Sequence, residues 1–174
     1  VLLVTKDINL RMKAKSLGIH SQDYQNDRVV DIEAIHREAM VLENMDVKLI
    51  SKLYDSPEGI PFNEFGFDFD PTPNQYFIMK NGSQSALTHY DAEADCINRV
   101  VKTSVYGIEP RNAEQTFALD ALLRPDIQLV ALTGKAGTGK TLLTLAAALH
   151  QRRNFHQIYL ARPIVPLSNK DLGY

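Results

Sequence analysis

The chain has 174 residues, of which 44% are hydrophobic and 23% charged, a composition that suits a globular protein and excludes a disordered one. No apolar run approaches the roughly 20 residues that cross a bilayer, and the opening segment lacks the basic start and long apolar core of a signal peptide, so a cytoplasmic protein without membrane contact is expected. Cys96 is the only cysteine, which excludes an internal disulfide and a cysteine-rich zinc site and leaves the role of a small packed residue.

The formal net charge of −2 conceals an asymmetry. Residues 1–30 carry five basic and three acidic side chains, residues 31–100 five basic and 13 acidic, and residues 101–174 nine basic and five acidic. A bound polyphosphate accounts for a basic last third, and so does a nucleic-acid strand lying along it; charge alone does not choose between them.

The chain opens on the apolar strand Val1-Leu2-Leu3-Val4, turns through Thr5-Lys6-Asp7, and continues as a helix with Leu10, Ala14 and Leu17 on one face until Gly18 stops it. Asp7 stands at the strand's carboxyl end, where open parallel sheets place ligands and where a helix also wants its N-cap, so both a metal-ligand and a capping role are open. From Asp31 to Tyr54 the pattern is mixed. Val47, Ile50, Leu53 and Tyr54 predict a short helix after Asp46, while Ala39 to Glu43 suits strand or helix.

Residues 56–74 collect Pro57, Gly59, Pro61, Gly66, Pro71 and Pro73 with Phe62, Phe65, Phe67 and Phe69 between them, which reads as a linker. The phenylalanines suit a loop pinned by aromatic plugs, or stacking on bases. Gln75 to Lys80 and Ser83 to Tyr90 flank Asn81-Gly82, a pair that tolerates a type I′ turn, so a β-hairpin is expected there.

A helical run from Thr116 to Leu123 precedes Ile127-Gln128-Leu129-Val130-Ala131-Leu132-Thr133, a run fit for a buried parallel strand. The next eight residues, Gly134-Lys135-Ala136-Gly137-Thr138-Gly139-Lys140-Thr141, satisfy the G-x-x-x-x-G-K-[ST] pattern of a phosphate-binding P-loop, and a helix rich in Leu and Ala follows them. The glycines let successive N–H groups turn inward on a polyphosphate; Lys140 sets its ammonium against the β and γ phosphates, and the Thr141 hydroxyl suits Mg²⁺ at the positive end of the helix. Lys140 and Thr141 are therefore the candidate catalytic residues, and 134–141 the candidate nucleotide-binding residues, for which the resemblance below implies ATP with Mg²⁺. Hydrolysis also needs a downstream carboxylate at the end of an apolar strand, yet the only acid after Thr141 is Asp171, in a polar loop. The chain opens without Met and stops shortly after another apolar stretch, so it reads as a fragment cut at both ends that binds nucleotide without turning it over.

Tyr106-Gly107-Ile108-Glu109-Pro110-Arg111-Asn112-Ala113-Glu114-Gln115, the P-loop block, and Ala161-Arg162-Pro163-Ile164-Val165-Pro166-Leu167-Ser168-Asn169-Lys170-Asp171-Leu172-Gly173-Tyr174 together resemble the PhoH family of ATPases. Ser168 departs from the family's frequent Gly. Val4 to Leu10 with Tyr24-Gln25-Asn26-Asp27 resembles the end of a PIN nuclease domain, and the pairing resembles PIN-PhoH proteins.

The resemblance implies an α/β fold in three parts. Residues 106–174 are the N-terminal part of a RecA-like, parallel-sheet P-loop core; 31–105 are a linker and small β-rich module; 1–30 are the C-terminal part of a PIN-like domain. It further implies that Gln115 recognises adenine, that Asp7 joins an acidic cluster holding Mg²⁺ or Mn²⁺, and that Arg162 and Lys170 lie near single-stranded RNA. The parent protein would be a homo-oligomer coupling ATP hydrolysis to RNA unwinding or cleavage. Two other readings stand beside it: a small-molecule kinase, against which the Gln115 block and Arg162-Pro163 argue, and a nucleotide-switched nucleic-acid-binding module without turnover.

Overall fold

The computed structural model describes residues 2–23 and 39–161, which fall into two compact units, each taken by itself below. The first is a strand-helix-strand unit. β1 (Leu2–Val4) pairs in parallel with β2 (His20–Gln22), and α1 (Ile8–Ser16) makes the connection. Gly18, at φ +70°, ends the helix as expected. The predicted apolar face is only partly covered: Ala14 is buried, whereas Leu10 and Leu17 stay exposed, because a two-stranded sheet is too narrow to cover the whole stripe. Arg11 ties the unit together, donating to the Thr5 carbonyl at 3.1 Å and pairing with Asp23.

In the second unit, β3 (Met40–Leu42) precedes α2 (Val47–Asp55), the helix expected after Asp46, whose carboxylate caps it by accepting from the Lys48 N–H at 2.8 Å. β4 (Ile60–Pro61) leads into a 3₁₀ turn at Phe62–Phe65, followed by β5 (Tyr76–Asn81), β6 (Gln84–Asp91) and β7 (Cys96–Arg99). These strands form one sheet in the order β3-β5-β6-β7-β4, antiparallel except for the parallel β3–β5 pair.

The hairpin forms with a shifted turn. Asn81 pairs with Gln84, so the two-residue loop is Gly82-Ser83 rather than Asn81-Gly82. Of the two, only Gly82 takes positive φ (+55°), as a type II′ loop requires of its first residue, whereas type I′ requires it of both.

One face of the sheet holds the main core: Phe77 and Met79 from β5, Ala86 from β6 and Ile97 from β7 meet Ile50 and Leu53 of α2. Each buried Ile, Leu, Phe or Met side chain among them contributes about 1.5–3 kcal/mol, and Ala86 about 0.8. The proline-rich 56–74 segment folds back over this core. Phe65 and Phe67 stack at 5.4 Å, Phe67 and Phe69 at 5.0 Å, and Phe67 and Phe69 reach Phe77 at 6.4 and 6.0 Å, so these rings face protein rather than bases.

α3 (Ala113–Leu123) and α4 (Lys140–His150) build a second core from Val105, Leu119, Leu143, Ala146 and Ala147. The segment between them departs from expectation. Residues 127–133 form no ladder, and Leu129 is 87% exposed; residues 157–161 are likewise unpaired. A parallel strand is held by its neighbours' hydrogen bonds, and among the described residues no strand lies beside either run. The architecture is mixed α/β, with its parallel pairs at β1–β2 and β3–β5. Among the described residues no helix is long and apolar enough to cross a membrane.

Candidate functional site

α4 starts at Lys140 because Gly139, at φ +88°, turns the chain into it; Gly137 takes φ +81°, with open space where a side chain would stand. These are the backbone angles that a P-loop asks of glycine. Inside the loop the Lys140 ammonium donates to the carbonyls of Gly134 at 2.9 Å and Lys135 at 2.7 Å, and to the Thr138 hydroxyl at 3.3 Å. The Thr138 hydroxyl in turn donates to the Lys135 carbonyl at 2.9 Å.

The loop's carbonyls thus turn toward its own lysine. Its amide hydrogens do not: apart from Thr138, whose N–H closes the turn over 135–138, the backbone N–H groups of residues 134–141 have no hydrogen-bond partner among the described residues. N–H donors without partners, beside an ammonium and at the start of an 11-residue helix, favour negative charge at this place. Thr141 stands exposed in the first turn of α4.

α3 reaches the same place from the other side. Asn112 caps it, its side-chain oxygen accepting from the Gln115 N–H at 2.9 Å. The Gln115 amide bridges two backbones: its oxygen accepts from the Arg111 N–H at 2.8 Å, and its nitrogen donates to the Thr138 carbonyl at 3.3 Å. Gln115 also lines both hollows that flank the loop. One, of about 270 Å³, runs along Asn112, Glu114, Thr133 and Lys140; the other, of about 650 Å³, runs along Lys102, Pro110, Arg111, Gly137 and Leu142.

The two regions that resemblance singled out match known families. The family model described as PhoH-like protein matches residues 107–174, the stretch that contains α3, the P-loop and α4. A PIN domain model matches residues 1–25. The whole chain is 39% identical to Protein PhoH2 of Bacillus subtilis, covering 40% of that protein. It is 33% identical to Protein PhoH2 of Mycolicibacterium smegmatis and 29% identical to Protein PhoH2 of Thermobispora bispora, covering 39% of each. The chain therefore spans about two fifths of the length of these relatives. No solved structure matches it.

Gly134 to Thr141 and Gln115 come together around one loop. Arg162 and Lys170 lie outside the described residues. Asp7, in the other unit, caps α1: its Oδ1 accepts from the N–H groups of Asn9 at 2.8 Å and Leu10 at 3.1 Å. Among the described residues no group of three His, Cys, Asp or Glu side chains is placed to hold a metal ion.

Sequence reasoning missed a polar cluster where the sheet meets α3. Tyr76 of β5 donates its hydroxyl hydrogen to Asp120 Oδ2 at 2.7 Å, and its ring packs on Phe117 at 4.8 Å. His89 of β6 brings Nδ1 within 3.9 Å of the same oxygen, and Arg124 pairs with Asp126, holding that carboxyl below its usual range. Burial pushes the Tyr76 phenol well above its usual value and pulls His89 down, against the opposing pull of Asp120. His89 Nδ1 and Arg124 Nη1 are buried without hydrogen-bond partners among the described residues. Asn112-x-x-Gln115 has capping-box spacing, which signals the Asn112 cap, whereas the Gln115 side chain accepts from Arg111 one position earlier than that motif places it.

Proposed function

We propose that residues 106–174 bind ATP with Mg²⁺, as the nucleotide-binding part of an ATPase. The observation that carries this is the set of N–H donors on 134–141 that have no partner among the described residues, in the loop that also holds the Lys140 ammonium. The triphosphate would replace the loop carbonyls and the Thr138 hydroxyl as partners of Lys140. Mg²⁺ keeps several waters and takes few protein ligands beside phosphate oxygens, which fits a site offering it the Thr141 hydroxyl. Calorimetric titration of Mg·ATP onto the wild type and Lys140→Ala tests this. A loss of at least tenfold, about 1.4 kcal/mol, is expected, and unchanged affinity rejects it.

In the parent protein this site would drive RNA unwinding or cleavage together with a PIN ribonuclease domain. The support is the PhoH-like match at residues 107–174, the PIN match at residues 1–25 and the basic excess after residue 100. Arg162 and Lys170 would then contact RNA phosphate rather than base. Full-length protein carrying Lys170→Ala should bind unrelated RNA sequences more weakly by similar factors, with a log-affinity against log-salt slope reduced by about 0.7 per lost phosphate contact. ATP hydrolysis stimulated by RNA supports the enzyme; slow hydrolysis indifferent to RNA supports the nucleotide-switched binding module.

A further inference from the structure

Peptide planarity makes the Gln115 bridge more than a tether. A carbonyl and the N–H of the next residue belong to one trans peptide unit and point in opposite directions. The Gln115 amide nitrogen holds the Thr138 carbonyl at 3.3 Å, so the Gly139 N–H of the same peptide is aimed away from Gln115. That N–H is among the loop donors without a partner in the described residues. Thr138 is gripped twice, through its hydroxyl by Lys140 and through its carbonyl by Gln115. The absence of a side chain at Gly139 admits this contact, since a Cβ there would stand 3.3 Å from the Gln115 nitrogen, tighter than an ordinary contact.

An amide that reads adenine offers one donor and one acceptor to the base edge. In Gln115 the oxygen is already 2.8 Å from the Arg111 N–H and the nitrogen already bound to Thr138. Each atom keeps one further hydrogen or lone pair, but rotating the amide plane so that both meet a base edge would give up these bonds and release the peptide that orients Gly139.

We propose that Gln115 is a positioning residue, which aims the Gly139 amide at the phosphates and so contributes to affinity for the polyphosphate rather than to the choice of base. The proposal rests on the nucleotide-binding reading of the loop and assigns Gln115 its part within it. It predicts a loss shared by every ligand with the same phosphate chain, whatever is attached to that chain.

The test is calorimetric titration of Mg·ATP, Mg·GTP and magnesium tripolyphosphate onto the full chain, wild type and Gln115→Ala, with circular dichroism showing that both are folded. A loss of about fivefold, equal for the three ligands, is expected from removing one pair of hydrogen bonds. A loss confined to ATP makes Gln115 a base reader and overturns the proposal, as does unchanged affinity for all three. If Gln115→Ala does not fold, Gln115→Met, which keeps a long stem and removes both hydrogen bonds, is read by the same criteria. A folded wild type that binds none of the three fails at the nucleotide reading itself, and the role of Gln115 falls with it; wild-type binding followed by unequal losses fails at Gln115 alone.

Discussion

Tyr76 and Asp120, 44 residues apart, meet at 2.7 Å and join the five-stranded sheet to the helix that supports the P-loop. The phenol donates and the carboxylate accepts, while Phe117, one turn earlier on α3, packs on the Tyr76 ring. The helix is thus held at two places, by the sheet in its middle and by the Thr138 carbonyl at its first turn.

Replacing Tyr76 by Phe keeps the ring and removes the donor. Asp120, about one quarter exposed, then loses a charge-assisted hydrogen bond in a site that water reaches only in part. A cost of about 1–3 kcal/mol is expected. Hydrogen exchange at the β5 and β6 amides in wild type and Tyr76→Phe measures it; equal protection would show that the ring contact alone holds the junction.

His89 makes the same junction sensitive to acid. Desolvation lowers its pKa below the ordinary 6.5, outweighing the attraction of Asp120, while Arg124 lowers it further and Asp91 and Asp126 act the other way. The unfolded chain therefore binds the proton more readily than the folded one, and stability is fully present above 6.5 and declines as the pH falls through the folded-state value. Urea midpoints taken from pH 7.5 down to pH 5 should fall for the wild type and fall less for His89→Gln. Parallel profiles for the two proteins would remove His89 as the source.

What could be read from the sequence was local. The P-loop, α1 with Gly18, α2 after Asp46 and the 76–91 hairpin all follow from spacing, caps and turn residues within a few positions of one another. The misreadings share one cause. Residues 127–133 have a strand's composition, but a strand exists only through its neighbours, and none is beside it among the described residues. β4 is two residues long and is defined by pairing with β7, more than 30 positions later, so no periodicity announces it. The phenylalanines of 56–74 do plug a loop, as their spacing suits, but Phe77, the ring that Phe67 and Phe69 meet, lies in the following strand, outside the segment's own pattern. At the candidate site the residue types were legible, whereas the direction of the Gln115 amide was not, because it depends on the Thr138 carbonyl 23 positions away.

Gly59 and Gly66 separate two costs of adding a methyl group. Both have positive φ, +80° and +61°, so alanine pays about 1 kcal/mol or more at either position. At Gly66 the new Cβ meets nothing within 4 Å, whereas at Gly59 it would meet the Ile97 carbonyl oxygen at 2.9 Å and the Asn98 side chain. The Ile97 oxygen belongs to β7, the strand that pairs with β4, and cannot swing aside as a side chain can. Gly59→Ala should therefore lower stability by about 1–3 kcal/mol more than Gly66→Ala. Thermal unfolding of the two variants side by side decides this, and equal midpoints would mean that the β4–β7 edge yields without cost.

Asp7 is where capping and metal binding make different demands on one carboxylate. Capping needs a single acceptor oxygen, which Oδ1 supplies to Asn9 and Leu10, and an asparagine supplies the same atom. Holding Mg²⁺ or Mn²⁺ needs negative charge shared among several oxygen ligands, and no such group surrounds Asp7 among the described residues. In this chain Asp7→Ala should destabilise α1 by about 1 kcal/mol and Asp7→Asn by a few tenths. Mn²⁺ should leave the unfolding of wild type and both variants unchanged. Hydrogen exchange of the α1 amides, with and without Mn²⁺, tests both roles at once. Protection that rises with Mn²⁺ in the wild type and not in Asp7→Asn would make Asp7 a metal ligand as well as a cap.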